Sequence, residues 1–376
     1  MIPKPINVLY LSSFGNLWGG QRSLFELVRK LDKSLFCPHV IVPTEGVLAD
    51  KLQEENIGVS VLALPKIVDS RIDRKLRCLC SLIQLVDKFN IDLIHTDGPR
   101  NTFYGGLGAK IKKIPLVWHI RASSRDKYDR IPYFLSSKII LVADALRRRF
   151  DWSKNSRKFV TIYNGVDVAE SRVVKPIVSV KEKYGIRNGS LLITAVGRVE
   201  KLKGQKELIE ACGKIKDKLK DFYILAAGEI VDESYVKECN ESAAELGIRG
   251  RIIFAGNIEN ISEILTETDI FVLPSFLEAF PRSLIEAMGA GKAVVATDAG
   301  GCSEAVEDQV SGFIIPVGNS ELLADRIHKL ATNGELRLKF GSEARQRVQN
   351  MFGIEQNVRK TELLYKEIMR EYSHDI

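Results

Sequence analysis

"DIFVLPSFLEAFPRSLIEAMGAGKAVVAT" occupies residues 269–297 and reads as one strand–loop–helix–strand unit. "DIFVLPS" (269–275) and "KAVVAT" (292–297) are near-continuous apolar runs, the pattern of parallel strands buried on both faces. "FLEAF" is the loop at the carboxyl end of the first strand. Pro281 suits the first helical position, where its missing N–H costs nothing. The helix is expected over 281–290, with Leu284, Ile285 and Met288 as its apolar face and Gly291 after its end.

The same alternation runs through the whole chain. "INVLYLS" (6–12), "HVIVPT" (39–44), "VSVLAL" (59–64), "DLIHT" (92–96), "PLVWHI" (115–120) and "KIILVA" (138–143) are strand candidates, and "GGQRSLFELVRKL" (19–31) has helical spacing. "FVTIYNGVD" (159–167) ends in an Asn-Gly turn signal, and 168–190 is irregular. A second series follows: "LLITAVGR" (191–198), "FYILAAG" (222–228), "RIIFAG" (251–256), the opening pair, and "GFIIPV" (312–317). The last segment, 355–372, is an amphipathic helix. The pattern gives an α/β protein of two doubly wound Rossmann-like domains facing across a cleft. The expected domains are 1–171 and 172–356, with a C-terminal helix at 357–376 crossing back to the first. Ligands of such sheets sit beyond the carboxyl ends of the strands.

The 376 residues are 45% hydrophobic and 27% charged, an ordinary soluble composition. No run reaches the ~20 apolar residues of a membrane-spanning helix. "MIPKPINVLYLSSFG" reads as a first strand and not as a signal peptide, so a cytoplasmic location is expected. Six cysteines lack zinc-like pairing and read as reduced thiols. Residues 1–171 hold 27 basic and 17 acidic residues against 28 and 31 in the remainder, so a net charge of +10 faces one of −3. The clusters Arg71/Arg74/Lys75/Arg77, Lys110/Lys112/Lys113 and Arg147/Arg148/Arg149 lie in the basic part and read singly as solvated helix faces. Together they raise the expectation of peripheral contact with an anionic membrane at its inner face. No nucleic-acid motif accompanies them, so nucleic acid is not an expected partner.

The chemistry concentrates after the strand at 269–275. Glu278 lies in the loop and Glu286 about two turns along the helix. Between them the free N–H groups of a helix start form an anion site, backed by a dipole of roughly +0.5 charge. Carboxylates accept hydrogen bonds from sugar hydroxyls. An anion flanked by two hydroxyl-rich groups describes ribose, diphosphate and sugar. "VGRVEKLKGQKELIEA" (196–211) supplies the cations, Arg198 at a strand end and Lys203 before Gly204. No D-x-D motif occurs, so neither a catalytic metal nor another cofactor is expected. In the first half, "NLWGGQRS" places Gly19 and Gly20 at a strand-to-helix turn where the backbone can approach a ligand closely, and His119 ends a strand. His95 is a weaker candidate of the same kind, and Asp144 in "VADALRRRF" reads as a cap of the helix that follows it.

"GRVEKLKG" followed by "PSFLEAFPRSLIEAMGAGKAVVATDAGG" and "SGFIIPVGN" resembles glycosyltransferase family 4, the retaining group 1 enzymes of GT-B fold. "LWGGQRSL", "DLIHT", "HIR" and "YNGVD" extend the resemblance, more loosely, over the first half. The resemblance implies a nucleotide-sugar domain in the C-terminal half and an acceptor-binding domain in the N-terminal half. It implies that Glu286 holds the nucleotide ribose, that Arg198 and Lys203 bind the diphosphate, and that Glu278 lies at the donor sugar. Backbone amides of the segment Ala279, Phe280, Pro281, Arg282 and Ser283 would lie near sugar and phosphate. Gly19 and Gly20 would form a loop near phosphates and acceptor, and His119 would approach the donor sugar. The implied reaction is retaining transfer from a UDP- or GDP-sugar to a hydroxyl of a glycan or lipid-linked acceptor, in cell-surface polysaccharide, lipopolysaccharide or glycolipid synthesis. "VADAL" departs from the small polar residue common in the family, in the half that governs the acceptor.

Two alternatives stay open: a nucleotide-sugar epimerase or phosphorylase of the same fold, and a non-catalytic two-lobed sugar- or nucleotide-binding protein. A nicotinamide dehydrogenase lacks its glycine fingerprint here. A P-loop ATPase fails because "GAGKA" (289–293) has Glu286 where the first glycine belongs.

Overall fold

The computed structural model describes residues 4–68, 70–153, 155–168, 179–219, 221–258 and 260–374. The chain divides into two compact units, Met1–Gly165 with Ile354–Ile376, and Val166–Gly353. The boundary expected at 171/172 and much of the 168–190 connector fall at 169–178, outside the described residues. Within the described part of that connector, Val180–Lys183 forms a single helical turn and not irregular chain. Ser179 Oγ accepts from the amides of Lys181 and Glu182, and the Glu267 carboxylate accepts from those of Val180 and Lys181. A two-sided cap of this kind stabilises a turn too short to persist alone.

The first unit carries seven strands: β1 (Ile6–Leu11), β2 (Phe36–Val42), β3 (Gly58–Val61), β4 (Leu93–Asp97), β5 (Leu116–Ile120), β6 (Lys138–Leu141) and β7 (Phe159–Thr161). Their order is β3-β2-β1-β4-β5-β6-β7, and every pair is parallel. A parallel sheet needs cover on both faces, which explains its apolar strands. One face buries Val8, Tyr10, Val40, Leu93, Val117 and Ile140 against Leu24, Leu27 and Val28 of helix Gly19–Lys30. The C-terminal helix Ile354–His374 joins this core through Ile354, Val358, Leu364, Tyr365 and Ile368. Each such buried side chain contributes ~1.5–3 kcal/mol relative to exposure.

The second unit has six parallel strands: β8 (Leu191–Val196), β9 (Phe222–Ala227), β10 (Ile252–Gly256), β11 (Ile270–Leu273), β12 (Ala293–Thr297) and β13 (Phe313–Ile315). Their order is β10-β9-β8-β11-β12-β13. In both sheets the order reverses once, between β1 and β4 and between β8 and β11, and these switch points are where ligands of such sheets bind. Helices Gln205–Lys214 and Ser320–Thr332 cover one face with Leu208, Ile209, Leu323 and Ile327.

Several local expectations need correction. Helix Arg282–Gly289 begins one residue later than Pro281, which is the cap residue with extended ψ of 120°. Asp144 is the first residue of a 3₁₀ turn whose cap position is Ala143; it pairs with Arg147 at 2.6 Å and accepts from Thr161 Oγ1 at 3.1 Å. Arg149 is not on a solvated face. It is 7% exposed, forms a two-pronged pair with Asp129 at 2.6 and 2.7 Å, and lies over the Trp118 ring. All six cysteines are free thiols. Among the described residues no helix is long and apolar enough to cross a membrane.

Candidate functional site

In the second unit the loops after β8 and β11 converge. Gly204 has φ of +69°, and a Cβ there would fall 2.1 Å from the Pro274 carbonyl oxygen, so only glycine lets the two loops touch. Phe276 N–H donates to the Leu202 carbonyl at 2.9 Å in the same contact. The convergence sets Lys203 Nζ 2.7 Å from Glu278 Oε1, with Lys203 19% and Glu278 9% exposed. Gly300, at φ +56°, fits where a Cβ would lie 1.9 Å from the Glu278 carbonyl oxygen, and Gly301 N–H donates to the Ala279 carbonyl at 2.8 Å. The small residues after the helix therefore fix the backbone of the Glu278 loop. Buried Phe280 anchors it from below by packing on Phe352, ring centroids 5.2 Å apart.

Helix Arg282–Gly289 starts there from Pro281, which gives its first amides no side-chain cap among the described residues. Ser283 Oγ donates to the Val196 carbonyl at 3.0 Å, tying the helix start to the end of β8. Glu286 accepts from Arg282 Nε at 2.7 Å, and both side chains are largely buried. Arg198 is 47% exposed and pairs with Glu200 at 2.7 Å, while its carbonyl accepts from Gln205 Nε2. The sequence candidates Arg198, Lys203, Glu278 and Glu286 thus follow the two strands at one switch point, and two of the pairings among charges, Lys203–Glu278 and Arg282–Glu286, were not legible in advance. Burial, with the Glu278 charge second, pushes the Cys302 thiol well above its ordinary value, which keeps it a neutral packing group.

In the first unit Gly19 and Gly20 open helix Gly19–Lys30. Among the described residues a Cβ at Gly19 would meet nothing within 4 Å, and one at Gly20 would make only ordinary contact, 3.8 Å from Arg121 Cδ, so packing within the unit requires neither glycine. His119, fully buried in β5, belongs to a polar chain. Tyr10 and Tyr365 hydroxyls lie 3.0 Å apart, Tyr365 Oη is 2.6 Å from His95 Nδ1, and His95 Nε2 is 3.1 Å from His119 Nδ1. Arg121 Nη2 is 3.2 Å from the same His119 nitrogen, and Arg121 Nη1 donates to Asn164 Oδ1 at 3.0 Å. Burial first, then the Arg121 charge, lowers His95 to about 3 and His119 well below its ordinary value. Asp97, at the end of β4, accepts from Ser13 Oγ at 2.6 Å and Asn101 Nδ2 at 3.0 Å, and burial pushes its carboxyl up. Sequence reading passed over Asp97 and Arg121 although both end apolar strands. Tyr365 carried no signal, because its partner His95 is 270 residues away.

Among the described residues no group of three or more His, Cys, Asp and Glu side chains is placed to hold a metal ion. The chain matches the family model "Glycosyl transferases group 1" over residues 179–347 and "Glycosyltransferase Family 4" over residues 18–170. The chain belongs to the group 1, family 4 glycosyltransferases. Similar proteins include N-acetyl-alpha-D-glucosaminyl L-malate synthase of Bacillus anthracis, 27% identical over 58% of this chain and 56% of that one. The chain thus spans little more than half the length of that relative. UDP-Gal:alpha-D-GlcNAc-diphosphoundecaprenol alpha-1,3-galactosyltransferase of Escherichia coli is 23% identical over 96% of both chains. Among solved structures, Anabaena Alr3699/HepE in complex with UDP is 22% identical, with a TM-score of 0.83 over 96% of this chain and 100% of that one. The fold of this chain is therefore that of GT-B enzymes, two Rossmann-like units with parallel sheets.

Proposed function

We propose that this glycosyltransferase moves a sugar from a nucleoside-diphosphate sugar, with UDP as the nucleotide, to an acceptor hydroxyl with retention of anomeric configuration. The second unit takes the donor: Glu286 receives the ribose hydroxyls, Arg198 and Lys203 the diphosphate, and Glu278 with the amides of the 279–283 segment the sugar. The observation that carries this reading is the convergence of Lys203, Glu278 and the uncapped start of helix Arg282–Gly289 at the β8/β11 switch point. An ammonium has three donors and Glu278 takes one, so Lys203 can also meet a phosphate oxygen. As the sugar–phosphate bond breaks, charge grows on the departing phosphate where these cations and the helix dipole oppose it. The acceptor oxygen bonds to the anomeric carbon from the same face, and its proton passes to the leaving phosphate oxygen.

The first unit takes the acceptor, a glycan or lipid-linked hydroxyl, as the names of the Escherichia coli relative's substrates support. Peripheral contact with an anionic membrane belongs to the same reading. Its support is the +10 charge of residues 1–171 and an exposed aromatic pair, Phe134 and Trp152, with Arg130 5.5 Å over the Trp152 ring. Incubation with UDP-sugars, with and without a polyprenyl-diphosphate sugar, tests the function. Release of UDP together with an α-linked product, only when acceptor is present, is expected. Donor breakdown or epimerisation without acceptor, or binding without turnover across donors and acceptors, would overturn it.

A further inference from the structure

The hydrogen-bond chain Tyr10–Tyr365–His95–His119 has two possible directions. Hydroxyls and neutral imidazoles can each donate or accept, so the four groups are equally satisfied with every hydrogen pointing toward His119 or every hydrogen pointing away. Burial holds both rings neutral, so a doubly protonated imidazole does not resolve the choice. Arg121 resolves it. A guanidinium only donates, and Arg121 Nη2 lies 3.2 Å from His119 Nδ1. That nitrogen must therefore present its lone pair. His95 Nε2, 3.1 Å from the same atom, must then carry a hydrogen, which leaves His95 Nδ1 to accept from the Tyr365 hydroxyl and Tyr365 to accept from Tyr10. His119 carries its single hydrogen on Nε2, a fully buried atom with no hydrogen-bond partner among the described residues. A buried donor left unpaired is costly, and it is the kind of group that a ligand oxygen satisfies.

We propose that Arg121 is a positioning residue that locks His119 as the Nε2–H tautomer, making His119 a fixed neutral hydrogen-bond donor to a ligand oxygen and barring it from acting as a base at that nitrogen. The ligand oxygen is a hydroxyl or phosphate oxygen of a bound substrate. In that respect the inference rests on the proposed function, whereas the tautomer itself is a property of the unliganded protein. Arg121 is suited to the role because Asn164 holds its other terminal nitrogen at 3.0 Å, which orients the guanidinium plane.

Long-range proton–nitrogen NMR of the ring nitrogens, on the full chain without ligand, tests the lock. His119→Asn assigns the signal among the five histidines. The expected wild-type pattern is an unprotonated Nδ1 and a protonated Nε2. Arg121→Met should admit the Nδ1–H form, Arg121→Lys should keep Nε2–H because ammonium also only donates, and Tyr365→Phe should leave His119 unchanged while altering the His95 signals. A wild-type His119 protonated on Nδ1, an Arg121→Met pattern identical to wild type, or a Tyr365→Phe protein in which His119 reverses would each overturn the lock. With turnover, Arg121→Met should lower kcat/KM roughly tenfold, the loss of about one hydrogen bond, with recovery in Arg121→Lys. If no donor turns over but the NMR patterns hold, the substrate reading fails and the lock stands.

Discussion

The Lys203–Glu278 pair joins the two charges to which the donor site is assigned, so breaking it from each side should have opposite effects on the nucleotide. At 2.7 Å the gross attraction is about 6 kcal/mol at an effective dielectric constant of ~20. Desolvation offsets most of it: single removals cost ~3–5 kcal/mol in buried pairs and under ~1 kcal/mol in exposed ones. With Lys203 19% and Glu278 9% exposed, the pair lies between these limits, and Glu278→Gln should cost about 2 kcal/mol of stability. That change also removes the negative charge that competes for the ammonium, so free UDP should bind as well as or better than in the wild type. Lys203→Met removes a charged contact to the diphosphate worth ~1.5–3 kcal/mol, roughly a 10- to 100-fold loss of UDP affinity. Denaturant titration and calorimetry on both single variants and the double variant separate the terms. In the double variant the stability losses should fall short of additive, because the pair is broken once. If Glu278→Gln weakens free UDP as much as Lys203→Met does, Glu278 contacts the nucleotide itself and the division between sugar and diphosphate is wrong.

Three further outcomes are expected. Glu286→Ala should weaken UDP by roughly 10- to 100-fold, since the ribose loses a charged acceptor worth ~1.5–3 kcal/mol; an affinity equal to wild type by calorimetry would move the ribose elsewhere. Folding stability should fall as pH drops below 6.5, because unfolded His95 and His119 take up protons that their buried rings refuse. With His95 lowered to about 3 and His119 well below its ordinary value, each costs ~2 kcal/mol at pH 5, and a flat denaturation midpoint between pH 7 and 5 would contradict it. Flotation with phosphatidylglycerol vesicles at low salt, lost at high salt and weakened by Phe134→Ser with Arg148→Ser, would support membrane contact, and failure to float would end it. Arg149 is unsuitable for that test, because its pair with Asp129 is buried.

What could be read from sequence follows from which interactions are local. Parallel strands such as β8 and β11 are buried on both faces, so "LLITAV" and "IFVL" announce themselves as apolar runs, and chain order then puts the loops of Arg198 and Glu278 at strand ends. The glycine run 300–301 was visible, but its reason, a carbonyl of Glu278 where a Cβ would sit, is a contact across 22 residues. Side-chain pairings between separate elements left no trace: Lys203 with Glu278, His95 with Tyr365, Arg149 with Asp129. Charged residues are the least legible class, because sequence reading assumes water around them. Arg149 and Asp144 were misread for that reason, one buried in a pair and the other held by Arg147 instead of by a helix start.

The most direct measurement is calorimetric titration of UDP and UMP into the full chain with EDTA present. Lys203, Arg198 and the start of helix Arg282–Gly289 are assigned to the diphosphate, so UDP should bind saturably, survive EDTA, and bind at least tenfold more tightly than UMP, a difference of about 1.4 kcal/mol or more. Equal affinities for UDP and UMP, or UDP binding that disappears in EDTA, would contradict a donor site built from this chain's own cations.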